Sequence, residues 1–292
     1  MKDGGMPCGG FPAILGHEGL GVVREVGPNM SDKSLSPGDV VILSFHSCRQ
    51  CDSCRREKYG GCPRMTEVNF INTARPGAGA KSPFSFADGT SIHGQFFGQS
   101  SLSKLTIATE KSVVKIDAAQ ADLFCLAPLA CGYLAGASTV LNVLQPKTTE
   151  TIAVCGMGAV GLAAVMAAKA VGLKDIIALD IIDSKLQTAV DVGASHSINL
   201  TSFKSLDEAI RATFPSGVDY IVDATGAMPV LNEAVKALAH GGSLALVGVP
   251  PPEKYIQVDA LDLLLSCKKI IGVIEGLSSP QTVGQSRFMS YH

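Results

Sequence analysis

Between residues 151 and 276, strand-like and helix-like runs alternate, and this exchange constrains the fold more than any other feature of the chain. TIAVC precedes a helical run from Ala159 to Val171, DIIALD precedes SKLQTAVDVG, and HSINL precedes LDEAIRATF. VDYIVDA precedes PVLNEAVKALA, SLALVGV precedes LDLLLS, and KIIGVIEG closes the series. Strands separated by helices at this spacing pair in parallel, because each helix returns the chain to the same edge of the sheet and covers one of its faces. The expected crossover is right-handed. The predicted class is therefore α/β.

The first 130 residues read as strand-rich instead. GLGVVREVG alternates and turns at Gly27-Pro28-Asn29, and Ser36-Pro37-Gly38-Asp39 is a second turn before VVILSF. Residues 72–91, rich in Gly, Pro and Ser, predict a long surface loop. FFGQSS, KLTIAT and SVVKI are expected to be short strands.

Within the α/β half, Gly156-Met157-Gly158-Ala159-Val160-Gly161 follows the strand TIAVC and opens an alanine-rich helix. That context turns a weak G-x-G-x-x-G pattern into a dinucleotide site. Gly156 makes the tight turn, Gly158 lets the backbone approach a pyrophosphate, and Gly161 lets helix and strand pack closely. The phosphates sit on the helix N-terminus, where free N–H groups and the dipole favour anions. Asp180, at the end of DIIALD, is placed to accept from the ribose hydroxyls and to repel a 2′-phosphate, which favours NAD over NADP. The competing role for Asp180 is a helix N-cap, for which Asp183 or Ser184 is better placed. Lys185 either reaches the adenosine ribose or is a solvated helix lysine.

Cys48, Cys51, Cys54 and Cys62 have the spacing C-x2-C-x2-C-x7-C in an otherwise polar loop. Four thiolates this close can close a tetrahedral Zn²⁺ shell, and a closed shell makes the metal structural. The same loop carries Arg49, Arg55, Arg56, Lys58 and Arg64. This cluster reads as a solvated face in preference to a nucleic-acid surface, because aromatic stacking partners are sparse and the whole chain has a net charge of -2. With 292 residues, 46% of them apolar, the chain can fill two domains. Nine cysteines, four with metal spacing, favour a reducing compartment, here the cytoplasm. The N-terminus has no signal-peptide pattern. The apolar run over 152–168 is short for a membrane span and is broken by the glycine motif.

A third motif joins these. Gly16-His17-Glu18-Gly19-Leu20-Gly21, followed by VVREVG, resembles the G-H-E-x-x-G signature of zinc-containing medium-chain alcohol dehydrogenases. The resemblance extends through PGDVVILS, the four-cysteine lobe, Cys131-Gly132, GMGAVG, Asp180 and VGVPP. FFGQSS, VVKI and GVIEG look most like benzyl- or aryl-alcohol dehydrogenases. It implies a Rossmann parallel sheet plus a strand-rich GroES-like domain: 1–131 catalytic, 132–276 NAD-binding, 277–292 a divergent tail. It also implies a second, catalytic zinc held by His17 and Cys131, with Glu18 beside it. There the metal polarises an alcohol oxygen while hydride passes to the nicotinamide of NAD. Phe96 and Phe97 match positions lining the alcohol pocket, or else are strand core. Val247 to Val249 and Val273 match contacts to the nicotinamide carboxamide.

The expected activity is oxidation of a primary alcohol to its aldehyde, the aryl-alcohol resemblance pointing to an aromatic one, with no nucleic-acid or membrane partner. The expected assembly is a homo-oligomer joined through Rossmann edge strands near GVIEG. The sequence also departs from the family. It begins downstream of another cysteine ligand and of the proton relay, and Cys8 is no substitute for that ligand. After EGLSSPQT the similarity ends, and Ala135 stands where a threonine is usual. These departures predict an incomplete catalytic ligand set and a chain truncated at both ends. They leave an alternative open: an inactive remnant that binds zinc, with or without NAD.

Overall fold

The computed structural model describes residues 10–71, 82–116 and 123–283, with side chains in the last stretch from Cys125 onward. Two compact units are formed: 1–131 with 278–292, and 132–277.

In the first unit, β1 (Gly19–Val22), β2 (Val40–Leu43), β3 (Phe84–Ser85), β4 (Ser91–Ile92) and β5 (Val113–Lys115) are short. β1, β2 and β5 form an antiparallel sheet in that order, and β3 pairs with β4 in a hairpin. The expected turn at Ser36 is present: the Asp39 amide donates to the Ser36 carbonyl, and the Asp39 carboxylate accepts from the Ser36 amide. Ile42 packs with Ile116 and Ala130 on one side of β2, and Val41 and Leu43 pack with Leu35 on the other. The helices of this unit are single turns: α1 (Asp52–Arg55), α2 (Met65–Asn69) and α3 (Leu123–Leu126).

One loop and two strand expectations need correction. The loop foreseen over 72–91 contains the β3–β4 hairpin, while 72–81 lie outside the described residues. KLTIAT is not a strand. FFGQSS is a tight turn with a 3₁₀ segment over Phe96–Gly98, because Gln95, Phe97, Gly98 and Ser100 all have positive φ (64°, 53°, 71° and 57°). Each non-glycine residue held there costs roughly 1 kcal/mol, so surrounding bonds must hold it. Those bonds are visible: Gln95 Nε2 donates to the Ile107 carbonyl, and Ser100 Oγ accepts from the Phe96 amide while donating to the Ile14 carbonyl.

In the second unit, β6 (Thr151–Cys155), β7 (Asp175–Asp180), β8 (His196–Asn199), β9 (Val218–Asp223), β10 (Leu238–Leu246) and β11 (Lys269–Gly272) form one parallel sheet. Its order is β11-β10-β9-β6-β7-β8. The order reverses between β6 and β9, which is the doubly wound arrangement with its crevice at the strands' carboxyl ends. The helices are α4 (Gly132–Ser138), α5 (Ala159–Val171), α6 (Asp183–Asp191), α7 (Leu206–Arg211), α8 (Met228–Ala234) and α9 (Ala260–Leu265). The last helix, α10 (Pro280–Val283), returns to the first unit. Continuous apolar runs such as Ile152 to Cys155 and Ile176 to Leu179 are fully buried, as a sheet covered on both faces requires. The alternation read from the sequence thus corresponds strand for strand to this sheet. Among the described residues, no helix is long and apolar enough to cross a membrane.

Candidate functional site

The four-cysteine loop folds so that its thiols face one point. All four sulfurs lie within 4.8 Å of one another, with Cys48–Cys54 at 3.9 Å and Cys51–Cys62 at 4.0 Å. A tetrahedral shell with Zn–S near 2.3 Å requires sulfurs about 3.8 Å apart, so the donor set fits zinc. Left-handed Arg49 and Glu57 tighten the loop, and the single turn of α1 places Cys54 above its N-cap residue Cys51. Burial pushes the Cys54 thiol up to about 12. In Cys48 the same burial is outweighed by the amides of Gln50 and Cys51, which bring it to about 6.

The basic side chains of the loop are largely occupied. Arg55 pairs with Asp52, and Arg64 pairs with Glu67. Arg49 lies 3.9 Å above the Tyr59 ring and donates to the Lys111 carbonyl and to Gln281 Oε1 on α10. All eight described cysteines are free thiols.

A second donor cluster joins residues far apart in sequence. His17 leads into β1, and Cys131 ends the turn over Ala127–Ala130. Their donor atoms and a Glu18 carboxylate oxygen lie within 4.8 Å of one another. The His17 imidazole is half-buried against aromatic rings, with Phe97 at 4.6 Å and Phe96 edge-on at 5.9 Å. Phe70 completes the aromatic group. Burial pushes the His17 pKa below the usual histidine range, against the opposing charge of Glu18. The neutral imidazole this favours is the form that can ligate a metal. Phe96 and Phe97 are therefore buried in a turn, not in a strand core, and they wall the donor cluster.

Among the described residues the donor cluster consists of His17, Glu18 and Cys131, and Cys8 lies outside the described residues. The sequence reading missed two further residues. Gln99 and Ser44 are fully buried, and they link the backbone beside His17 to the backbone beside Cys131.

In the second unit the glycine turn takes the foreseen form. Gly156 has φ +91°, and a Cβ on Gly161 would lie 1.8 Å from the Gly156 carbonyl oxygen, so α5 can close on β6 only with glycine there. At Gly158 a Cβ would meet nothing within 4 Å, leaving open space at the α5 N-terminus. The amides of the first turn have no intrahelical partners there and point outward. This is a cradle fit for a pyrophosphate.

Asp180 does more than predicted. Its Oδ2 accepts from the Met157 amide at 2.7 Å, and Oδ1 accepts from Ile181 and Ile182. Neither Asp183 nor Ser184 caps α6. The cap position is Ile182, and the Asp183 carboxylate instead accepts from Asn199 Nδ2. Asp180 takes the two amides leading into the helix, and the bond from Asn199 occupies the Asp183 carboxylate. Lys185 is exposed in the first turns of α6.

Across the switch point, Asp223 is wholly buried, and burial raises its carboxyl pKa. It accepts from Thr225 Oγ1 and from the Thr225 and Gly226 amides, while its carbonyl accepts from Val247 and Gly248. These bonds hold the turns that follow β9 and β10.

A doubly wound sheet with an open glycine turn and a separate zinc-compatible lobe define an α/β protein with a cradle for a dinucleotide and a lobe for a metal. Comparison with known proteins gives the family. Residues 1–118 match the alcohol dehydrogenase GroES-like domain, and residues 159–287 match the zinc-binding dehydrogenase domain. A "probable alcohol dehydrogenase" of Pseudomonas sp is 38% identical over 280 residues, covering 94% of this chain and 85% of that protein. Geraniol dehydrogenase of Castellaniella defragrans is 34% identical, covering 93% of this chain and 71% of that protein. The crystal structure of benzyl alcohol dehydrogenase from Acinetobacter calcoaceticus superposes with a TM-score of 0.86 at 34% identity, covering 97% and 75% of the two chains. The chain belongs to the zinc-containing medium-chain alcohol dehydrogenase family. Its reaction class is zinc-dependent alcohol oxidoreduction.

Proposed function

We propose that this chain oxidises a primary aromatic alcohol to its aldehyde with NAD. In this reading residues 1–131 are the catalytic domain and 132–276 the NAD-binding domain. The observation that carries it is the convergence of His17, Glu18 and Cys131 donors within 4.8 Å beside the Phe70, Phe96 and Phe97 rings. When bound, zinc supplies a Lewis acid for the alcohol oxygen, and NAD supplies the hydride acceptor. His17 and Cys131 would hold that zinc, with Glu18 at its side. The phenylalanine rings exclude water and keep the imidazole neutral, and their edges and faces suit an aryl substituent. In the second unit, the amides at the α5 N-terminus beside Gly158 would hold the pyrophosphate. Asp180 would accept from the ribose hydroxyls, with Lys185 reaching the same sugar.

The test is the rate of benzyl alcohol oxidation with NAD against NADP, and with benzyl alcohol against geraniol. NAD and the aryl alcohol should be preferred. Asp180→Ser should narrow the NAD-to-NADP ratio of kcat/KM by about tenfold, since it removes one carboxylate that repels a 2′-phosphate. Tighter binding of NADP than NAD by the unaltered chain would refute the ribose assignment.

Cys48, Cys51, Cys54 and Cys62 would hold a separate, structural zinc. Cys51→Ser is expected to weaken that zinc at least tenfold and to lower the melting temperature. The affinity of the His17–Cys131 site should not change. Competition with a chromogenic chelator, followed by zinc analysis, separates the two sites. Unchanged zinc content after Cys51→Ser would exclude this thiol as a ligand.

A further inference from the structure

Gln99 is fully buried in the left-handed turn over 95–100, and nothing in the chemistry described above requires an amide there. Its Nε2 donates to two carbonyls at once: His17 at 2.9 Å and Ser44 at 3.1 Å. Ser44 follows β2, is itself fully buried, and donates through Oγ to the carbonyl of Ala130. Ala130 immediately precedes Cys131. One unbroken path of hydrogen bonds, partly buried at His17 and buried beyond it, therefore runs from the main chain of His17, through Gln99 and Ser44, to the main chain adjoining Cys131. The segments it joins are otherwise independent in sequence: the His17 carbonyl is 82 residues from Gln99, and the Ala130 carbonyl is 86 residues from Ser44.

A metal site assembled from two segments needs their spacing held before the metal arrives, because ligand geometry sets affinity. A buried amide suits this task. Its two N–H groups lie in a fixed plane, and any shift of either segment would leave a buried carbonyl unpaired. The strained turn carrying Gln99 is pinned on either side by Gln95 and Ser100, so the amide cannot follow one partner and abandon the other.

We propose that Gln99 and Ser44 are positioning residues that set the separation of His17 and Cys131 for the metal. This rests on the reading of His17 and Cys131 as zinc ligands. Neither residue belongs to the donor cluster of His17, Glu18 and Cys131. The tether acts through main-chain carbonyls, so its loss should loosen the site without removing a ligand.

The experiment uses the full chain loaded with zinc. Zinc per chain and zinc affinity against a competing chelator are measured for the unaltered protein, His17→Ala, Gln99→Met, Ser44→Ala and the double variant Gln99→Met/Ser44→Ala. Melting temperature is followed in parallel. Gln99→Met keeps bulk while removing both donors, and Ser44→Ala opens the path at its other end should Gln99→Met fail to fold. The expected result is a loss of at least about tenfold in affinity of the zinc that His17→Ala releases, with the four-cysteine zinc retained. The double variant should lose no more than the worse single one, since both cut one path. A folded Gln99→Met or Ser44→Ala with a lowered melting temperature but unchanged affinity for that zinc would overturn the tether alone. A zinc content insensitive to His17→Ala would overturn the ligand assignment and the tether with it.

Discussion

His17→Ala is expected to lower kcat/KM for alcohol oxidation on the order of a thousandfold and to release one zinc per chain. Polarisation by a bound metal supplies several kcal/mol of charge stabilisation, and each 1.36 kcal/mol is a factor of ten in rate. Two residues with Glu18 at their side are the only donors of the described cluster, so losing the imidazole leaves Cys131 and a carboxylate, too few to hold the metal in place. The zinc of the four-cysteine lobe should remain, because its donors come from a different loop. The measurement is steady-state NADH formation with benzyl alcohol, together with zinc analysis of the same samples. Near-normal turnover by the variant would show that the catalytic metal is held elsewhere. The Phe70, Phe96 and Phe97 group would then be packing alone.

Gly161→Ala is the second large effect. The added methyl would lie 1.8 Å from the Gly156 carbonyl oxygen, so α5 must move away from β6 or the turn must open. Overpacking against side chains costs roughly 1–3 kcal/mol, and here the obstacle is backbone, which yields less. A loss of roughly 3 kcal/mol corresponds to a fall of about 10 °C in melting temperature for a unit of this size. Dinucleotide affinity should fall with it, because the turn and the helix N-terminus move together. Gly158→Ala is the matched control: its Cβ would meet nothing within 4 Å, so stability should stay within about 0.5 kcal/mol. NADH titration by fluorescence should nevertheless show weaker binding for Gly158→Ala, since the methyl would occupy the space left for the pyrophosphate. A stable Gly161→Ala with unaltered NADH affinity would contradict this account of the turn.

The two halves of the chain differ in how legible they were. In the second unit, every strand-like run became a strand and the helix foreseen from Ala159 to Val171 has those bounds. Each signal there is local: a continuous apolar run, a helical period, or a glycine whose conformation is set by its neighbours. In the first unit, strands are two to four residues long, too short for a period to show, and FFGQSS was misread. Its aromatic and polar residues suit a strand, and bonds to distant segments at Ile14, His17, Ser44 and Ile107 hold it in left-handed conformations instead.

The site divides along the same line. The cysteine spacing within 48–62 was by itself a signal of a converging thiol cluster, because thiolates at these intervals on a tight loop can reach one metal. The glycine turn and Asp180 at the strand end were equally local. The sequence carried the pairing of His17 with Cys131 only through family resemblance, because no spacing rule connects residues so far apart. Tertiary structure alone decided that Asp180 also binds the Met157 amide, that Ile182 stands at the cap of α6, and that Gln99 and Ser44 bridge the two ligand segments. The physical reason is common to all three. A polar group pairs with what folding brings within hydrogen-bonding distance, not with what lies beside it in the chain.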